Sequence, residues 1–228
     1  MIVAFLFILG LIIGSFLAAL TYRLPKNISI SKGRSKCPNC DHQIASYDNI
    51  PLLSFLLLLG HCRHCHSQIS FRYPLIELAT AIIFVIVGFN IFNLIFACIL
   101  LSIFVIDLEH QIIPDELVFV GLAIFAIYNI QNTLCFSNLL AGFLSALLLL
   151  TLNLVTKGRG MGLGDVKLAL LLGSFVGINL FLNWLFFSFV AGAVVGILLI
   201  IGGKATMKQK IAFGPFLIIG FLLVILIK

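Results

Sequence analysis

Charge is what this sequence has least of. Only 10% of its 228 residues are Asp, Glu, Lys or Arg, and only eight of those are acidic. Hydrophobic residues make up 62%, and the mean hydropathy is +1.23. A soluble domain of this length cannot hide so much apolar surface, whereas a bilayer solvates it. Runs of roughly 20 apolar residues cross the hydrocarbon core as helices. The expected fold is an all-α polytopic membrane protein of about eight transmembrane helices, near 2–20, 74–89, 92–108, 115–131, 136–156, 165–179, 180–202 and 212–227. The first segment lacks a basic n-region and a small-residue cleavage site, so it reads as a retained span rather than a secretion signal.

Basic residues are absent from every second loop. The loops near Asn90, Gln131 and Ile178 carry none. Of the 14 Lys and Arg, 13 fall in three regions: Arg23, Lys26, Lys32, Arg34, Lys36, Arg63 and Arg72; Lys157, Arg159 and Lys167; and Lys204, Lys208 and Lys210. Only Lys228 lies on the other side. Basic loops stay cytoplasmic, which predicts a multi-pass protein of the cell inner membrane with both termini outward. The net charge of +6 is then a matter of topology. A nucleic-acid surface would gather its cations on one folded face among aromatics, so the expected surroundings are lipid bilayer and no nucleic acid.

Six cysteines are present. Cys98 and Cys135 fall inside apolar segments and read as packing residues. The other four form Cys37-Pro38-Asn39-Cys40 and Cys62-Arg63-His64-Cys65, separated by 21 residues. Each CxxC puts two thiolates on one turn, and two such turns complete a tetrahedral zinc site. Two disulfides are the alternative, which a reducing cytoplasmic loop disfavours. This predicts a small zinc-ribbon-like insertion on the cytoplasmic side. Between the pairs lies IPLLSFLLLLG at 50–60, too short to span and expected to lie on the membrane or under the ribbon. His42, His61, His64 and His66 are nearby, but four thiolates already fill the shell.

The acids are Asp41, Asp48, Glu77, Asp107, Glu109, Asp115, Glu116 and Asp165. Asp41 and Asp48 belong to the cysteine loop. Glu77 enters the second apolar segment, where an ionisable group is a functional candidate or simply reaches water. Asp107 closes the third segment and Asp165 opens the sixth, so both sit at the cytoplasmic boundary. Two close carboxylates share one proton; one can then deprotonate water while the other donates to a scissile carbonyl. Glycines 160, 162 and 164 would let an extended backbone approach. Other readings of these acids are structural. Asp165 suits a helix N-cap, and Asp115 and Glu116 after Pro114 suit a first turn. Residue physics alone leaves Asp107, Glu109 and Asp115 open as the first member of a pair.

Seven motifs in order resemble the bifunctional type IV prepilin peptidases, leader peptidase and N-methyltransferase in one chain. They are GSFLAALTYRLP at 14–25, GRSKCPNC at 33–40, YDNIPLLSF at 47–55, HCRHCHSQISFRYPLIE at 61–77, DLEHQIIPD at 107–115, GMGLGDVKL at 160–168 and FGPFL at 213–217. The resemblance implies Asp107 and Asp165 as catalytic aspartates and Cys37, Cys40, Cys62 and Cys65 as metal ligands. It implies prepilin or pseudopilin substrates, removal of a short basic leader after a glycine, and N-methylation of the new terminus from S-adenosylmethionine. The chain then divides into a first span at 1–21, a cytoplasmic zinc-binding region at 22–73 assigned to methyl transfer, and a peptidase bundle at 74–228. Ala18 stands where the family pattern has asparagine, His66 where glycine is common, Ala212 where proline is common, and Ser70 where some members have glycine. Two other classes remain as alternatives. A transporter or channel would bind cations on its aspartates but place them near the midplane. A scaffold would need no catalytic acid.

Overall fold

The computed structural model describes residues 1–29, 35–131, 136–158, 160–203 and 211–227. Lys32, Arg34, Arg159, Lys204, Lys208, Lys210 and Lys228, which carry part of the topology argument, and Cys135 lie outside the described residues. Among those described, the chain is helical, without strands: α1 (Ile2–Arg23), α2 (Leu53–Leu57), α3 (Arg72–Val87), α4 (Ile91–His110), α5 (Asp115–Gln131), α6 (Phe136–Val155), α7 (Leu163–Val176), α8 (Phe181–Ile201) and α9 (Gly214–Ile227).

Apart from the five-residue α2, these helices coincide with the eight apolar segments of the sequence. Four of them, α1, α4, α6 and α8, are long and apolar enough to cross a membrane. The others are shorter, with 16, 17, 14 and 14 residues in α3, α5, α7 and α9. Length and composition therefore qualify four spans, rather than the expected eight. Gly88 and Gly177, at φ +73° and +81°, end α3 and α7 in a region of backbone space that glycine enters freely.

The chain divides into two compact units, Met1–Ser102 and Ile103–Lys228. In the first, α1 packs along α3 at close range. A Cβ on Gly10 would meet Ala81 Cα at 2.5 Å, and one on Gly14 would meet Glu77 Cα at 2.7 Å. Small residues permit this backbone approach, which supplies dispersion contacts where lipid offers no hydrophobic drive. The Arg72 guanidinium donates to Ala18 O at 3.0 Å and Thr21 Oγ1 at 2.8 Å, laying a cation against the C-terminal turns of α1. Leu6, Phe84 and Leu94 form the buried core of this unit.

The second unit uses the same device. Gly142 lies against the Leu170 carbonyl, where a Cβ would sit at 2.6 Å, and Gly173 lies against Ser145 Oγ, at 2.7 Å, so α6 and α7 nearly touch. Fully buried Trp184 of α8 donates its indole N–H to Leu217 O of α9 at 2.9 Å. That bond satisfies the one polar group a buried tryptophan carries.

Candidate active site and thiol cluster

Asp107 occupies the last turn of α4 and is 4% exposed. Its Oδ2 accepts the Gly214 amide at 3.0 Å, from the first residue of α9. Position 214 has no room for a side chain: a Cβ would lie 2.6 Å from that same oxygen and 3.2 Å from Ile113 Cδ1. Asp165, 8% exposed, sits in the first turn of α7. Its Oδ2 accepts the Gly162 amide at 3.0 Å. It is thus an N3 residue reaching back to an N-cap glycine, half of a capping box, rather than the N-cap itself.

One residue ties the two carboxylates together. Ile113 faces Gly214, the donor to Asp107, and its Cβ lies 3.1 Å from where a Cβ on Gly164 would stand, directly before Asp165. Each carboxylate has one oxygen engaged by a backbone amide, and among the described residues neither pairs with a cation. The other two candidate acids face elsewhere. Asp115 is exposed and paired with Lys167 at 2.7 and 2.8 Å. Glu109 is exposed, with its carboxylate 4.0 Å from the His110 ring. Glycines 160, 162 and 164 do not adopt left-handed φ. Each makes room for a neighbour of this chain: Thr156, the Asp165 carboxylate and Ile113 respectively.

The four cysteines of the first unit come together. Their Sγ atoms all lie within 4.8 Å of one another, and all four are free thiols. Cys37 and Cys65 are 3.7 Å apart, far beyond a disulfide length of about 2.05 Å. A tetrahedron with Zn–S bonds of about 2.3 Å has an edge of roughly 3.8 Å, so the donor set fits a tetrahedral soft cation. Burial pushes the Cys37 thiol up, but the Asn39 and Cys40 amides with Ser67 and Cys40 side chains outweigh it and bring it down to about 6. Cys40 gains from the His42 amide, yet burial and the adjacent sulfurs push it up to about 12. Four close thiols do not share negative charge without a cation among them.

The cluster is built from one turn used twice. Cys37 N–H bonds His42 O, Asp41 N–H bonds Cys37 O, and Ile44 N–H bonds Ser35 O. Cys62 to Ser67, His66 to Cys62, and Ile69 to Gly60 repeat the pattern. The β-bridges Lys36–Gln43 and His61–Gln68 close both copies. The signal was present in the sequence as KCPNCDHQI at 36–44 and HCRHCHSQI at 61–69. Asp41 and His66 occupy the same left-handed position, at φ +53° and +55°, which accounts for glycine being the expected residue at 66.

Glu77 was a candidate without a partner in the sequence. It is 7% exposed and accepts the Leu52 amide at 2.8 Å, and Gly14 of α1 packs against its backbone, where a Cβ would lie 2.7 Å from Glu77 Cα. It therefore joins α1, α3 and the start of α2.

The arrangement defines a class: a helical membrane protein with a carboxylate pair at converging helix ends and a separate four-thiol cluster. Comparison with known proteins narrows it. The bacterial Peptidase A24 N-terminal domain matches residues 8–91, and the type IV leader peptidase family matches residues 94–197. Proteins named prepilin leader peptidase/N-methyltransferase are similar over most of the chain. That of Bacillus subtilis is 32% identical over 96% of this chain and 91% of its own length. That of Myxococcus xanthus is 39% identical over 90% of this chain and 66% of its own length. That of Stutzerimonas stutzeri is 34% identical over 93% and 86%. The chain belongs to the type IV leader peptidase family. No solved structure matches it.

Proposed function

We propose that this protein is a prepilin leader peptidase and N-methyltransferase of the inner membrane, in which Asp107 and Asp165 hydrolyse the peptide bond. The observation that carries the reading is the buried pair, each member held by one glycine amide, with Ile113 packed against both Gly214 and Gly164. Two such carboxylates do not both ionise cheaply, so they hold one proton between them. The ionised member takes a proton from water, and the water oxygen adds to the scissile carbonyl carbon. The protonated member donates to the carbonyl oxygen. Collapse of the tetrahedral adduct breaks the C–N bond: the leaving nitrogen takes up the proton removed from water, and an adduct hydroxyl returns its proton to the aspartate that had donated one, which restores the singly protonated pair. The Gly162 and Gly214 amides fix Oδ2 of each acid and leave the other oxygen to the reaction.

The 22–73 region is proposed to hold one zinc on Cys37, Cys40, Cys62 and Cys65 and to carry methyl transfer from S-adenosylmethionine. Zinc there is structural, with all four positions filled by thiolate. The basic residues support a cytoplasmic location for this region and for both aspartates, and the four shorter helices α3, α5, α7 and α9 are proposed to lie within the bilayer with the four long ones. Substrates are prepilins or pseudopilins, whose apolar helix occupies the membrane while the basic leader stays in the cytoplasm.

The test is cleavage of a full-length prepilin in detergent or vesicles. Asp107→Asn and Asp165→Asn should each leave the precursor uncut while the protein inserts and binds metal normally. Cleavage by either variant at near the parent rate overturns the paired-aspartate mechanism.

A further inference from the structure

The segment between the two thiol turns is the most apolar part of the cysteine region, and it is not buried. Leu53, Leu56, Leu57 and Leu59 are 50%, 67%, 74% and 82% exposed. Water would charge heavily for such a patch, so something covers it. Three features of the first unit indicate what.

The first is depth. Leu52, at the entry to α2, donates its amide to the Glu77 carboxylate, and Gly14 of α1 lies against the Glu77 backbone. Glu77 lies five residues into α3 from Arg72, about 7.5 Å along the helix axis. Arg72 itself marks the helix end by binding Ala18 O and Thr21. The segment thus reaches down beside an apolar helix pair, one member of which is long enough to span, instead of standing above it.

The second is its backbone. Amides at 50, 52, 53, 54, 56 and 58–61 all have partners within the segment or on Glu77: Ile50 on Ser54 Oγ, Leu53 on Pro51 O, Leu58 on Ser54 O, Gly60 on Phe55 O. Pro51 has no amide to satisfy. A solvated loop has no need of such closure, whereas backbone in hydrocarbon requires it. The closure is reached at the cost of strain, with Leu52 and Leu59 at φ +57° and +51°. The Leu52 turn, with ψ −47° and a Leu53-to-Pro51 bond of 2.6 Å, is a tight γ-turn that the Glu77 hydrogen bond braces.

The third is continuity. Phe55 meets Phe71 edge-on at 5.3 Å, and Phe71 and Leu75 are each 63% exposed, so the patch runs on into the outward flank of α3. Arg23 and Lys26 close the neighbouring end of α1, a basic rim suited to anionic headgroups.

We propose that residues 50–60 form a wedge inserted among the acyl chains of the cytoplasmic leaflet, with Glu77 as its pin. The wedge would hold the thiol cluster down on the membrane surface. The proposal depends on the membrane reading of α1 and α3, and it is independent of the aspartate mechanism.

The experiment uses the full chain, zinc-loaded, in vesicles of phosphatidylethanolamine and phosphatidylglycerol. An environment-sensitive fluorescent amino acid is introduced at Leu57, and in a separate protein at His64 as a reference on the second thiol turn. The probe at 57 should emit to the blue, lose most of its emission to lipids brominated along the acyl chain, and resist aqueous iodide. The probe at 64 should show the reverse. Glu77→Ala should move the probe at 57 toward the iodide-sensitive state, while Glu77→Gln, which keeps an acceptor oxygen, should not. Quenching at 57 by iodide alone overturns the proposal in favour of a solvated loop. Resistance to both quenchers overturns it in favour of a protein occupant, either a second copy or the substrate helix. Activity need not be measured, so failure here leaves the peptidase reading untouched.

Discussion

The thiol cluster and the carboxylate pair assemble their groups by opposite routes. Four sulfurs come from two copies of one nine-residue turn, each closed by its own backbone bonds, and each turn donates two ligands from within itself. The carboxylates instead stand at the ends of two helices, and the amide that holds Asp107 comes from 107 residues away. A metal site, the role proposed for the first, needs local turns and a cation to join them. A proton-sharing site, the role proposed for the second, needs rigid long-range packing, because its acids must be close, desolvated and still unpaired. That packing is visible in Ile113, wedged between the glycines that precede Asp165 and bind Asp107. The first site is therefore expected to fail as a unit when its cation leaves, and the second to fail at single atoms.

The sharpest break of this comparison separates the two activities. The double variant Asp107→Asn, Asp165→Asn should lose cleavage by roughly 10³-fold or more, since the proposed general acid and base are both removed. Given a pilin already trimmed of its leader, it should still transfer labelled methyl from S-adenosylmethionine. Mass analysis of both reactions decides it. Label absent from the trimmed pilin, with metal content intact and the parent protein active, would make the sites one.

A comparable loss is expected on the other side. Cys37→Ser with Cys62→Ser should abolish bound metal, from about one per chain in the parent. Residues 35–69 should then become sensitive to protease, because structural zinc supplies folding free energy that two small turns lack. Elemental analysis and limited proteolysis check this. A fully protected domain without metal would show that the turns hold themselves together.

Smaller effects should follow from single atoms at the carboxylates. Gly214→Ala places a methyl within 2.6 Å of the Asp107 oxygen, whereas Gly162→Ala places one 3.2 Å from that of Asp165. The first should cut the cleavage rate by about 10²-fold, the loss expected from displacing a catalytic group by an ångström, and the second by less. Metal content should be unchanged in both. Equal and negligible effects would show that neither amide positions its acid.

What the sequence disclosed follows the same division. Eight apolar segments were legible because hydrophobicity is a local property, and all eight are helices. The CxxC pairs were legible because ligand spacing is local too. That Asp107 is buried while Asp115 pairs with Lys167 was not, since packing rather than spacing decides it. Nor was Glu77, whose partner Leu52 lies 25 residues away and offers only a backbone amide. Backbone donors leave no mark in a residue pattern. The nine-residue repeat could have been read, and with it the left-handed position that makes His66 unusual.

The smallest effect belongs to Asp48 and Arg63, and it tests how local the thiol region is. Arg63 lies between the second pair of cysteines and grips Asp48 through Nε and Nη2, at 2.9 and 2.6 Å. Hydrogen bonds from Arg63, opposed by burial and helped by the Arg63 charge, hold the Asp48 carboxyl below its usual range. A depressed carboxylate contributes stability that is fully present above its unfolded value, about 3.9, and is lost as pH falls through the folded one. The pair is exposed on the arginine side, so its contribution is small and screened by salt. Asp48→Asn should therefore be slightly less protected than the parent near neutral pH, by hydrogen exchange across 45–65. The gap should close as the parent carboxyl itself becomes protonated. Zinc thiolates also take up protons on acidification, so both proteins must be compared at equal metal occupancy. A gap that stays constant down to acid, or one that widens, would show that Asp48 acts through packing rather than through its charge.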